Sequence, residues 1–183
     1  MTQLKTIPKD VELVIFDCYD TLIHADLIEG KLKTRKGLED LLNFLSLKKI
    51  KLAIASDSDE KSIIKDLGRL VRFFEKKYVF GDANNSFEKP DINDENFLDY
   101  LEETNIYGKN RQDFLFYEGI NQISKKYKNL GKICKELGVS TKKIVFIGDT
   151  GFDKISAEKF NIDYIIVPCG TESPAYDMMD LVL

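Results

Sequence analysis

The chain has little of what several kinds of function need. It carries a single histidine, His24, and three cysteines, none in a CxxC or Cys/His spacing. Neither a zinc centre nor a disulfide framework is expected, and the thiols read as the reduced groups of a cytoplasmic protein. His24 has no second His or nearby Cys with which to bind a metal or build a triad. Positive charge is not in excess either. With 27 Lys and Arg against 31 Asp and Glu, the net charge is −4, which leaves no basic footprint for nucleic acid. No run approaches the roughly 18 apolar residues of a membrane span, and the opening MTQLKTIPKD has no apolar core of a secretion signal. A soluble protein with no membrane partner is the expectation. Internal repeats and low-complexity tracts are missing as well, and 183 residues suit one domain, 1–183, with a substantial core.

What is present is an alternation of strand and helix patterns, which predicts an α/β fold with a doubly wound parallel sheet. The apolar run Ile144, Val145, Phe146, Ile147 reads as a central strand and is followed at once by GDTGFD, Gly148 to Asp153. A second such run, Val14, Ile15 and Phe16, lies within VELVIFDCYDTLI and delivers Asp17. Leu52 to Ala55 makes a third strand, ending at Ser56, and Tyr78 to Phe80 an edge strand. Leu38, Leu41, Leu42 and Leu45 recur at helical spacing within Gly37 to Leu47. Further helices are predicted from about Asp59 to Phe74, capped by Asp57 or Ser58, and from about Tyr127 to Leu137 before Gly138. Ile23 to Lys36 reads as a short polar stretch. The segment 82–122, opened by the Gly-, Asn- and Pro-rich GDANNSFEKPDIND, reads as an insertion too small to be an independent domain.

Carboxylates at strand ends are the chemical signal. Ligands of open α/β sheets bind in the crevice beyond the carboxyl ends of the strands. If the strands before Asp17 and Asp149 are neighbours, the two side chains lie roughly one 4.8 Å strand spacing apart. Asp153 follows one turn later. Carboxylates this close repel unless a cation neutralises them, and oxygen ligands select a hard ion such as Mg2+.

Asp17, Thr21, Ser56, a lysine near Lys126, and the Asp149 and Asp153 pair, in that order, resemble the motifs of the haloacid dehalogenase-like (HAD) superfamily, in which magnesium-dependent phosphatases predominate. The resemblance spans roughly Val11 to Pro168. It implies that Asp17 is the nucleophile that forms an aspartyl phosphate, that the Tyr19 carbonyl, Asp17, Asp149 and Asp153 make up the Mg2+ site, and that Thr21, Ser56 and the lysine bind the phosphoryl group. The lysine should precede the helix that leads into the GDTGFD strand. That position selects Lys126, with Lys125 second and Lys128, in a KNL segment, third. Lys89 in EKPD imitates the motif but stands too far upstream. The 82–122 insertion occupies one of the family's cap positions as a minimal cap. The short segment between Thr21 and Ser56 leaves the other empty.

One departure bears on activity. HAD phosphatases usually place an acid/base Asp two residues after the nucleophile, where this chain has Tyr19, followed by Asp20. A phenol with a pKa near 10 can donate a hydrogen bond but is a poor base at neutral pH. The expected function is hydrolysis of a small-molecule phosphomonoester. Two alternatives follow from the departure: a catalytically weak or silent protein that binds a phosphorylated ligand or partner, and a carbon–halogen hydrolase, since Tyr at this position resembles the DxYGT pattern of dehalogenases.

Overall fold

A computed structural model describes residues 1–56, 58–75, 79–80 and 128–182. The insertion 82–122 and Lys89, Lys125, Lys126, Tyr78 and Asp57 lie outside the described residues.

The centre of the sheet is β1, Leu13–Phe16, whose four apolar residues are all buried. It pairs in parallel with β4, Lys51–Ala55, on one side and with β6, Ile144–Gly148, on the other. Two edge strands, β5 (Val79–Phe80) and β7 (Asp163–Ile166), complete the order β5-β4-β1-β6-β7, parallel throughout. Side chains alternate across a strand, so β1 feeds two cores. Val14 and Phe16 join one cluster with Leu38, Leu41, Leu42 and Leu45 of α1 (Leu38–Leu47) and Ile63 and Leu67 of α2 (Glu60–Leu67). Leu13 and Ile15 join the other with Leu130, Ile133 and Cys134 of α3 (Leu130–Leu137) and Ala157 of α4 (Gly151–Lys159). Helices cover both faces, as the alternating pattern predicts. Each of the four α1 leucines is at most 1% exposed, a burial worth about 1.5–3 kcal/mol per side chain.

Three segments differ in detail from the reading of the sequence. Ile23 to Lys36 contains an antiparallel hairpin, β2 (Ile23–Asp26) and β3 (Lys31–Thr34). The Asp26 carboxylate accepts hydrogen bonds from the Ile28 and Glu29 amides, and Lys33 bridges Asp26 and Glu29. Local polar bonds thus make a strand pair that hydrophobic periodicity does not announce. The helix expected from Asp59 to Phe74 stops at Leu67 and continues as a 3-10 turn, Gly68–Phe73, and its cap is Asp59, which accepts from the Ser62 amide. The helix expected from Tyr127 is described from Leu130, where the Asn129 side chain accepts from the Lys132 amide. Among the described residues, no helix is long and apolar enough to cross a membrane.

Candidate active site

The register of the central strands brings the carboxylates together. Phe16 pairs with Ile147, so Asp17 is the first residue beyond β1, and its amide bonds the Ile147 carbonyl at 2.8 Å. Asp149 emerges from the neighbouring strand after Gly148. Oxygens of Asp17, Asp149 and Asp153 lie within 4.8 Å of one another. The sequence-based pairing of Asp17 with Asp149 therefore corresponds to a real juxtaposition in the fold.

Asp153 is held twice. One oxygen accepts from the Thr150 amide and hydroxyl at 3.0 and 2.8 Å, a capping box at the start of α4. The other accepts from Lys128 at 2.5 Å. Gly148 is required here because a Cβ at that position would collide with the Asp153 carboxyl group. The Lys128 ammonium also bonds Asp17 Oδ1 at 2.7 Å, and Lys128 itself is 4% exposed. Its backbone amide donates to the Ser156 hydroxyl of α4, which in turn donates to the Phe152 carbonyl. α3 and α4 together thus fix the lysine. Lys128 is the lysine that the described structure places at Asp17.

Thr21 is fully buried and donates to Asp149 Oδ1 at 2.9 Å. Ser56, 2% exposed, stands one strand away at the end of β4, where its hydroxyl accepts from the Ser58 amide. Tyr19 turns elsewhere. Its hydroxyl donates to Asp66 Oδ2 of α2 at 2.7 Å. Burial, reinforced by that carboxylate, raises the Tyr19 pKa, so the phenol stays protonated at neutral pH. Asp20 adopts a left-handed φ of 58° and binds the loop beyond β7, with Oδ1 accepting from the Thr171 amide and hydroxyl at 2.9 and 2.6 Å. Cys18 packs into the core, and burial raises its thiol pKa.

Charge crowding dominates the electrostatics. Desolvation by burial raises the Asp17 pKa; Lys128 lowers it, and Asp153 and Asp149 raise it again. Asp149 is pushed up to about 6, chiefly by burial and then by Asp153, against the Thr21 hydrogen bond. Among the described residues, three carboxylates with the Lys128 ammonium among them form a set that a hard cation suits, and oxygen donors at this spacing fit Mg2+.

Some participants were not legible as site residues. Thr150 and Asp66 are ordinary polar residues of helix starts and faces. Thr171 lies in the loop beyond β7, where no pattern announces it as the partner of Asp20.

No family model and no curated protein matches the chain. Solved structures do. A possible sugar phosphatase of the HAD superfamily from Cytophaga hutchinsonii aligns with a TM-score of 0.57 at 10% identity, over 100% of this chain and 99% of its own. A haloacid dehalogenase-like family hydrolase from Streptococcus pneumoniae gives 0.54 at 12%, over 96% and 91%, and a HAD-superfamily hydrolase from Ehrlichia chaffeensis gives 0.54 at 16%, over 90% of each chain. With Asp17 and Asp149 at adjacent strand ends and the same sheet under them, the chain has the haloacid dehalogenase-like fold.

Proposed function

We propose that this protein is a magnesium-dependent phosphomonoester hydrolase acting through a covalent phosphoryl group on Asp17. The observation that carries the reading is the convergence of Asp17, Asp149 and Lys128 at the carboxyl end of the central strands. The names of the structural neighbours, hydrolases and a possible sugar phosphatase, support the class. Asp17 and Asp149, with the Tyr19 carbonyl, would hold Mg2+, whose charge would offset that of the carboxylates and of the phosphoryl oxygens. Asp153, with both oxygens engaged by Lys128 and Thr150, serves to orient the lysine.

The residues divide the work as follows. A carboxylate oxygen of Asp17 forms a bond to phosphorus as the ester P–O bond breaks, and the leaving oxygen departs as an anion or takes a proton from solvent. Water then attacks phosphorus, releasing inorganic phosphate and restoring Asp17. Lys128, already at Asp17, contributes positive charge toward the equatorial oxygens, and Ser56 a hydroxyl. Thr21 holds Asp149. The test is turnover of p-nitrophenyl phosphate with and without Mg2+, in the unaltered chain and in Asp17→Asn. Activity that needs both the metal and Asp17 supports the reading; no turnover of the aryl phosphate together with metal-independent halide release from a 2-haloacid would favour the carbon–halogen alternative. For that alternative, the segment after Thr21 is the β2–β3 hairpin rather than a helical cap.

The Tyr19–Asp66 bond favours one second reading. With position 19 unable to act as an acid, the protein would turn over only activated esters, or at the limit bind a phosphorylated ligand without hydrolysing it. Binding of inorganic phosphate or a phosphate ester with no turnover of any aryl phosphate would select this outcome.

A further inference from the structure

Among the described residues, three buried side-chain polar atoms have no hydrogen-bond partner: Arg35 Nε, Arg35 Nη2 and His24 Nδ1. Both residues lie against Gly170, where an added Cβ would run into His24, the Arg35 guanidinium and the Asp20 carbonyl. Arg35 is 2% exposed, and its guanidinium carbon lies 5.3 Å from the Tyr176 ring centroid. Burying a cation with two of its nitrogens unpaired opposes folding. Besides the Tyr176 ring and the charge of Asp149, what Arg35 meets is the backbone partner of its remaining nitrogen.

That nitrogen, Nη1, donates to the Asp20 carbonyl at 3.3 Å, alongside the Gly170 amide at 2.8 Å. Asp20 needs such a grip. Its φ of 58° lies in the left-handed region that residues with a Cβ disfavour, and its peptide nitrogen bonds the Ile23 carbonyl at 2.6 Å. A trans, planar peptide directs its C=O opposite to its N–H, so this bond sends the Tyr19 carbonyl away from the β2–β3 hairpin. The same turn delivers Thr21 to Asp149. We propose that Arg35 is a positioning residue: by gripping the Asp20 carbonyl together with Gly170, it holds the turn between Asp17 and Thr21 and thereby sets the Tyr19 carbonyl and the Thr21 hydroxyl for the work of Asp149. This role rests on the phosphatase reading for its catalytic consequence, but the grip itself is a property of the metal-free protein.

The experiment compares the unaltered full chain with Arg35→Met and Arg35→Lys. Amide hydrogen exchange is measured first, without metal. In Arg35→Met, Gly170 and Thr171 should exchange about fivefold to tenfold faster, the scale of one lost hydrogen bond, while Val14 and Phe146 in the core stay unchanged. The urea midpoint should match or exceed that of the unaltered chain, because the unpaired nitrogens are gone. With Mg2+ and p-nitrophenyl phosphate, kcat should fall roughly tenfold with KM little changed, as expected when an interaction that matters in the transition state is lost, and Arg35→Lys should recover part of it by keeping the charge and one donor. Unchanged exchange at Gly170 and Thr171 would overturn the proposal. So would core amides and urea midpoint dropping together with them, or an unchanged kcat. If the unaltered chain has no turnover, the phosphatase reading fails, and the exchange comparison still decides whether Arg35 holds the turn.

Discussion

Lys128 Nζ lies 2.7 Å from Asp17 Oδ1, although the two residues are 111 positions apart in the chain. The bond joins the end of the central strand to the start of α3, and through Asp153 it extends to the start of α4. Breaking a buried pair by removing one partner is far more costly than replacing the whole pair. Lys128→Ala would leave Asp17 and Asp153 facing each other in a desolvated site. We expect a loss of about 3–5 kcal/mol in stability, read from urea unfolding without metal and partly restored by millimolar Mg2+. The same substitution should lower aryl phosphate turnover more than Lys126→Ala, Lys125→Ala or Lys89→Ala; equal losses among the four would remove Lys128 from the assignment.

The crowded carboxylates make stability depend on pH in a direction opposite to that of most surface acids. Asp149 is raised to about 6 in the folded chain, and Asp17 is raised as well. The folded state therefore holds protons that the unfolded state has released, and stability falls as pH rises. The contribution is fully present below the unfolded value near 4 and lost as pH passes through the folded values. Metal-free protein should have a lower melting temperature at pH 8 than at pH 5, Asp149 alone accounting for about 1.4 kcal/mol of the difference. Mg2+ should flatten the profile by taking the place of the protons. A melting temperature that climbs with pH in the absence of metal would contradict this.

Tyr19 predicts a pattern of substrate preference. Its hydroxyl is committed to Asp66, so no acid at that position protonates the leaving oxygen, an effect typically worth roughly 10² to 10⁴ in rate. Aryl phosphates, whose leaving groups are stable anions, should turn over, and alkyl phosphates such as sugar phosphates only poorly. Tyr19→Phe should leave aryl turnover within about threefold, since it removes a single peripheral hydrogen bond. Tyr19→Asp should raise turnover of alkyl esters selectively. Fast alkyl ester hydrolysis by the unaltered chain would show that another group supplies the proton.

Much of this arrangement was legible in the sequence, and particular residues show why. Val14 to Phe16 and Ile144 to Ile147 are uninterrupted apolar runs, so the strands and the acids at their ends could be placed without coordinates; α1 declared itself through its leucine spacing. The β2–β3 hairpin could not, because Asp26, Glu29 and Lys33 hold it by polar bonds whose pairing has no period. The lysine was harder still. Lys125, Lys126 and Lys128 are near neighbours in a lysine cluster, and only the backbone path into α3, with the Lys128 amide on Ser156, singles one out in the described structure. The turn at Asp20 was likewise hidden, since its geometry depends on Gly170 and Thr171, some 150 residues further along the chain.

The most direct test of the account is to catch the phosphoryl group on Asp17. The unaltered chain is mixed with p-nitrophenyl phosphate and Mg2+, quenched with borohydride, which reduces an acyl phosphate but not a free carboxylate, and mapped by peptide mass spectrometry. The account predicts a Mg2+-dependent conversion of Asp17 to homoserine, absent in Asp17→Asn. Steady turnover with no modification at Asp17, or modification at another carboxylate, would contradict it.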